Sequence, residues 1–68
     1  MKLGLVIASN DAETVWNAFR FANYAAKNYQ DDVRVFLLGG GVEAESLDSE
    51  EFRIVEQMEQ LASAGGTI

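Results

Sequence analysis

Two short apolar runs, separated by one amphipathic stretch, restrict what this chain can fold into more than anything else in it. Residues 2–9 (KLGLVIAS) are nearly continuous in apolar character, β-branched at the centre and too short for a helix. Such a run reads as a strand buried on both faces of a parallel sheet. Residues 33–38 (VRVFLL) repeat the pattern with Arg34 as the one charge. Between the runs, Val15, Ala18, Phe19, Ala22, Ala25, Ala26 and Tyr29 recur at helical spacing and form one broad apolar face. Strand, helix and strand within about 40 residues make a βαβ unit, with parallel strands and a right-handed crossover. The predicted fold class is therefore α/β.

The residues between these segments suit their ends. Asn10 has capping-box spacing to Glu13, and Asp11 is an alternative cap for the first helix. That helix closes near Asn28, at the start of a segment, residues 28–32, that has no glycine. Gly39, Gly40 and Gly41 end the second strand, and an acidic stretch over residues 42–48 follows. A second helix is expected from Asp48 or Ser49, since Asp48 and Glu51 again have capping-box spacing. Its apolar stripe is Phe52, Val55, Met58, Leu61 and Ala62, widened by Ile54. Gly65 and Gly66 suit its end, and Thr67 and Ile68 read as the opening of a third strand.

Parallel sheets are normally covered on both faces, and two strands with two helices leave edges and faces bare. Folding a chain of 68 residues hides only about 60% of the surface its unfolded form exposes. Residues 1–68 are thus expected to be the N-terminal part of a single domain of roughly 110 residues. The competing expectation is a short protein that buries the same surfaces as a homo-oligomer.

Five basic residues against eleven acidic ones leave a net charge of −6, which opposes binding to nucleic acid and offers no attraction to an anionic membrane. No apolar run approaches the roughly 20 residues that span a bilayer. The run at residues 3–8 has no signal-peptide architecture, so a cytoplasmic location is expected. The chain contains neither cysteine nor histidine. Disulfides, a thiolate nucleophile, a thiolate metal site and an imidazole base are therefore excluded from these residues. No catalytic residue, metal ligand or cofactor is assigned.

Candidate binding residues lie where ligands bind in open α/β sheets, beyond the carboxyl ends of the strands. Ser9, Asn10 and Asp11 precede the N-terminus of the first helix, which favours negative charge, and Gly39, Gly40 and Gly41 allow close backbone approach to an anion. Helix capping and a tight strand exit account for the same residues without a ligand. The glycines have no Gly-Lys-Ser/Thr ending and the first strand has no G-x-G-x-x-G after it. Trp16 and Tyr24, off the main apolar stripe, read either as half-buried aromatics or as interface anchors. Glu43, Glu45, Asp48, Glu50 and Glu51 match no EF-hand spacing and read as a solvated acidic loop.

Taken together, KLGLVIASND, ETVWNAFRFANYAAKN, DDVRVFLLGGGVEAESLD and EQLASAGGTI resemble the beginning of a small DsrE-like protein of the sulfur-relay family. Residues 33–42, a strand running into a glycine-rich exit and a valine, are the most distinctive piece. The chain departs from the family pattern at residues 28–32, where a glycine is common. The resemblance implies a three-layer α/β/α fold, oligomeric assembly, sulfur-relay protein partners and intracellular sulfur trafficking by a persulfide-carrying cysteine. In similar small members that cysteine follows the third strand, which here begins near Thr67. This chain has no such residue, so the resemblance carries over no catalytic position.

Overall fold

A computed structural model describes residues 2–28 and 32–68. In order they form β1 (Lys2–Ile7), α1 (Ala12–Asn28), β2 (Asp32–Leu37), a 3-10 helix (Gly39–Leu47) and α2 (Ile54–Ser63). β1 and β2 are parallel, with Lys2 opposite Asp32 and the register running on to Ile7 opposite Leu37. The α/β class and the parallel sheet agree with the sequence pattern. The apolar position expected at Tyr29 and the loop positions Gln30 and Asp31 lie outside the described residues.

A third strand position is present at Thr67, which bridges in parallel to Arg34 on the edge of β2 away from β1. The Thr67 N–H donates to the Val33 carbonyl at 3.0 Å, and the Val35 N–H donates to the Thr67 carbonyl at 2.8 Å. Gly65 and Gly66 close α2 as the sequence suggests. The Gly66 N–H reaches the Leu61 carbonyl at 2.9 Å, the Gly65 N–H reaches the Ala62 carbonyl at 3.1 Å, and Gly65 takes a φ of 92°. This paired 6→1 and 5→2 arrangement satisfies carbonyls left over at a helix end, and its first residue past the cap needs the left-handed region that glycine enters freely.

One core joins sheet and helices. Ile7, Val33 and Val35 pack with Val15, Phe19 and Ala22 of α1 and with Ile54 and Leu61 of α2, and Leu3, Leu5 and Leu37 lie against them. Phe19, Val15, Val33, Ile54 and Leu61 are fully buried. Burial along β1 alternates instead of covering both faces: Leu3, Leu5 and Ile7 turn inward, whereas Lys2, Gly4 and Val6 are exposed. Arg34 and Phe36 of β2 are exposed on the same outer side. Strand side chains alternate between faces, and both helices contribute to a core on one face only. The second helical layer of a three-layer fold has no counterpart among the described residues.

The total exposed area is 4299 Å², against ~4250 Å² for a folded monomer of this mass. The exposed area is that of an ordinary folded monomer of this mass. What sets the chain apart is which residues remain outside.

The start of α2 corrects the expectation from sequence. The helix begins at Ile54, not beside Asp48 or Ser49, and the acidic stretch expected as a loop is wound into the 3-10 helix. Asp48 and Ser49 still satisfy backbone donors, but across a turn. The Ser49 hydroxyl accepts from the Phe52 N–H and the Asp48 carboxylate accepts from the Val55 N–H, both at 3.0 Å. Glu51 therefore falls before the helix, where the reciprocal capping-box bond cannot form. Phe52 is drawn against Trp16 of α1, with ring centroids 5.5 Å apart, and Ile54 is buried. These two anchors delay the helix.

Candidate functional site

The strand ends meet as the topology requires. The Leu38 N–H donates to the Ile7 carbonyl at 2.9 Å, extending the β1–β2 ladder, and the Gly41 N–H turns back to the Leu38 carbonyl at 2.8 Å. Gly40 then lies beside Asn10: a methyl group placed on Gly40 would be 3.2 Å from the Asn10 Cβ. Gly41 is pressed onto the end of β1, where a methyl group would sit 2.6 Å from the Ile7 carbonyl carbon. Gly39 adopts a φ of 50°. Close backbone packing and one left-handed turn thus explain Gly39 and Gly41 within the fold itself.

On the other side of this edge, the Ser9 hydroxyl accepts from the Asp11 N–H at 2.9 Å. Asp11 accepts from the Thr14 hydroxyl at 2.7 Å and from the Thr14 N–H at 3.0 Å through the same carboxylate oxygen. Asp11, the alternative cap, is therefore the one used, and α1 runs from Ala12. The Thr14 hydroxyl and then the Thr14 N–H hold the Asp11 carboxyl below its ordinary value of 3.8. The carboxylate occupies the positive end of α1, so an incoming anion would meet like charge there.

Ser9, Asn10 and Asp11 thus lie at the same sheet end as the three glycines, and Asn10 touches Gly40. A stabilising carboxylate with a lowered pKa contributes fully above its unfolded value and loses that contribution as pH falls through the folded one. The Asp11→Ala variant is expected to unfold at a slightly lower temperature than wild type at neutral pH. The difference should shrink as pH drops below about 4, where unfolded aspartate protonates. Thermal melts at both pH values measure this, and a difference unchanged by pH would rule out the cap as its source.

Trp16 and Tyr24 sit in different surroundings. The Trp16 ring lies at 57° to Phe52, the Arg20 guanidinium stands 4.6 Å from the Trp16 ring centroid, and the side chain is packed against the core. It ties α1 to the segment before α2. Tyr24 is 54% exposed and lies three residues from Phe21, which is exposed to the same extent. On a helix this spacing makes the two neighbours.

Two features escape the sequence reading. Asn23 is buried between the helices, where its amide nitrogen donates at 2.9 Å to both the backbone carbonyl and the side-chain oxygen of Gln57. Its place between Phe19 and Ala26, four and three residues away on the apolar stripe, was the available signal. The second is the outer face of the sheet, where Val6 and Phe36 are directly opposed across the two strands and are 62% and 56% exposed. Period-two alternation was the signal there.

Among the described residues no group of three carboxylates could hold a metal ion, and no helix is long and apolar enough to cross a membrane. Comparison of the chain with protein-family models, curated proteins and solved structures finds no match.

Proposed function

We propose that this chain is an assembly unit of the DsrE-like type, which associates with further copies of itself and serves as a persulfide carrier in intracellular sulfur relay, the sulfur-accepting cysteine lying outside residues 1–68. The observation that carries the reading is the Val6–Phe36 pair on the outer sheet face. Parallel sheets are rarely left bare, and burying apolar surface returns about 25 cal/mol per Å². Leu38, which continues the alternation of β2, is 56% exposed beside them.

The charges on this face suit a second copy. Lys2, Asp32 and Arg34 share it, with the Arg34 guanidinium 3.7 Å from the Asp32 carboxylate in a loose, exposed pair. A two-fold contact places the same patch on both sides, so a patch that bears both signs is self-complementary. Glu56 and Glu59 belong to α2, which packs on the opposite face, so repulsion between two chains of charge −6 is weakest here.

The resemblance of the strand and helix segments supports placing this unit in sulfur relay. Residues 1–68 hold no cysteine, so in this reading they contribute frame and contact surface, and the persulfide is carried on a thiol outside them.

Sedimentation velocity over a range of concentrations tests the assembly. Wild type should associate, and Phe36→Asp should remain monomeric with an unchanged circular dichroism spectrum, since the altered side chain is exposed. A wild-type chain that stays monomeric at every concentration overturns the reading. The sulfur-relay half is tested separately, by retention of a cysteine-bearing DsrE-like protein on the immobilised chain; no retention removes that half.

A further inference from the structure

On the helical side of the molecule, α2 presents more apolar surface than the core covers. Ile54 and Leu61 are fully buried, whereas Val55 and Met58 are half-buried and Ala62 is exposed. Val55, Met58 and Ala62 follow one another at intervals of three and four residues, and so form a single ridge along the helix. Ile68, 45% exposed, lines an open groove of about 480 Å³ together with these three residues. Glu45 and Glu59 stand among the residues that line it.

Four apolar and two acidic side chains therefore line the groove together. It lies in the most acidic part of the chain: seven carboxylates fall between residues 43 and 59, with Arg53 as the only base. Arg53 is spent on Glu56, at 3.8 Å. Glu45 and Glu59 have no ion pair among the described residues.

We propose that this groove docks an amphipathic helix of a partner protein, with an apolar stripe laid along Val55, Met58 and Ala62 and with lysine or arginine residues flanking it to meet Glu45 and Glu59. Apolar anchors at helical spacing are how a helix is read by a groove, and the flexible thioether of Met58 adapts to the shape of what enters. The regional negative charge accelerates the approach of a basic segment and rejects acidic ones. A second copy of this chain is a poor occupant, because α2 and the 3-10 helix carry only acidic charges and α1, with Arg20 and Lys27 against Glu13, turns its apolar stripe into its own core. The proposal concerns the helical side alone and does not depend on self-association through Val6 and Phe36.

The test uses a labelled synthetic peptide with a leucine stripe flanked by lysines, in fluorescence anisotropy with the 68-residue chain. Three comparison peptides accompany it: one with glutamates replacing the lysines, one with the same composition but the stripe scrambled, and one with both changes. The lysine-flanked, striped peptide should bind best. Reversing both acidic charges of the groove, Glu45→Lys with Glu59→Lys, should weaken it about tenfold, the effect of ~1.4 kcal/mol, and should narrow its advantage over the glutamate-flanked peptide. Met58→Glu should abolish binding of both.

Equal binding of the scrambled peptide overturns the proposal, since attraction to a chain of charge −6 would then suffice. Equal binding of the lysine and glutamate peptides also overturns it, as does binding that survives Met58→Glu. A change of sedimentation coefficient caused by Met58→Glu without peptide would make the occupant a second copy and overturn the partner assigned here. Circular dichroism of each variant separates loss of binding from loss of fold.

Discussion

Gly41→Ala is expected to lose a large fraction of the chain's stability and to unfold at a much lower urea concentration than wild type. The added methyl group would lie 2.6 Å from the Ile7 carbonyl carbon and closer still to its oxygen. Neither can move aside like the tip of a flexible side chain, because both are backbone at the end of β1. Relief requires the 3-10 helix to lift from the strand, and with it the buried Ala44. Forcing an extra carbon into a packed interior costs about 1–3 kcal/mol and more where the surroundings are rigid. A chain of this length has a total stability of about 3–10 kcal/mol.

Gly4→Ala is the control, since nothing lies within 4 Å of the added group there. It should leave stability unchanged or raise it slightly, by up to about 1 kcal/mol, through a less flexible unfolded chain. Urea unfolding followed by circular dichroism compares them. Equal midpoints for Gly41→Ala and Gly4→Ala would show that the 3-10 helix does not rest on β1 in solution.

Phe19→Ala should be comparably severe. Phe19 is fully buried at the centre of the core that joins both helices to the sheet. Truncating a buried phenylalanine to alanine costs about 3–5 kcal/mol, from lost transfer free energy and from the cavity left behind. That loss rivals the whole stability available to a small domain. Phe21→Ala, two positions along the same helix, removes the same ring from a site that is 54% exposed and should shift the urea midpoint little. A Phe19→Ala chain that unfolds with the wild-type midpoint would place α1 in a different rotation about its axis.

These two pairs of residues also show how far the sequence could be read. Phe19 lies on the helical stripe with Val15, Ala22 and Ala26, and Phe21 does not, so periodicity alone separated the buried ring from the exposed one. Gly4 and Gly41 cannot be separated in that way. Each sits within or beside an apolar strand, and the difference between them is a neighbour 34 residues away in the chain, Ile7, that only the folded state brings to Gly41. The candidate site divides along the same line. Asp11 was legible only as the alternative cap to Asn10, and its bonds to Thr14, three residues on, decide between the two. The contact between Gly40 and Asn10 could be placed at one sheet edge but not given its close backbone fit.

The second helix marks the limit most clearly. Asp48 and Glu51 have the spacing of a capping box, yet the Asp48 carboxylate reaches Val55 because Phe52 is held against Trp16. A local signal worth about 1 kcal/mol yielded to the burial of an aromatic ring and of Ile54.

The βαβα order, the parallel sheet, the inward stripe of α1, the glycine closure of α2 and the lack of any thiol or imidazole were all determined by the sequence itself. Each depends on residue identity or on neighbours within a helical turn or a strand repeat, where sterics and hydrogen bonding act without the rest of the chain. The tertiary structure decided the other matters: that both helices share one face, leaving Val6 and Phe36 bare, that Asn23 pairs with Gln57, and that the glycine run lies flat on β1. Those outcomes rest on contacts between segments far apart in sequence. Their energies come from packing and excluded volume, which no local pattern encodes.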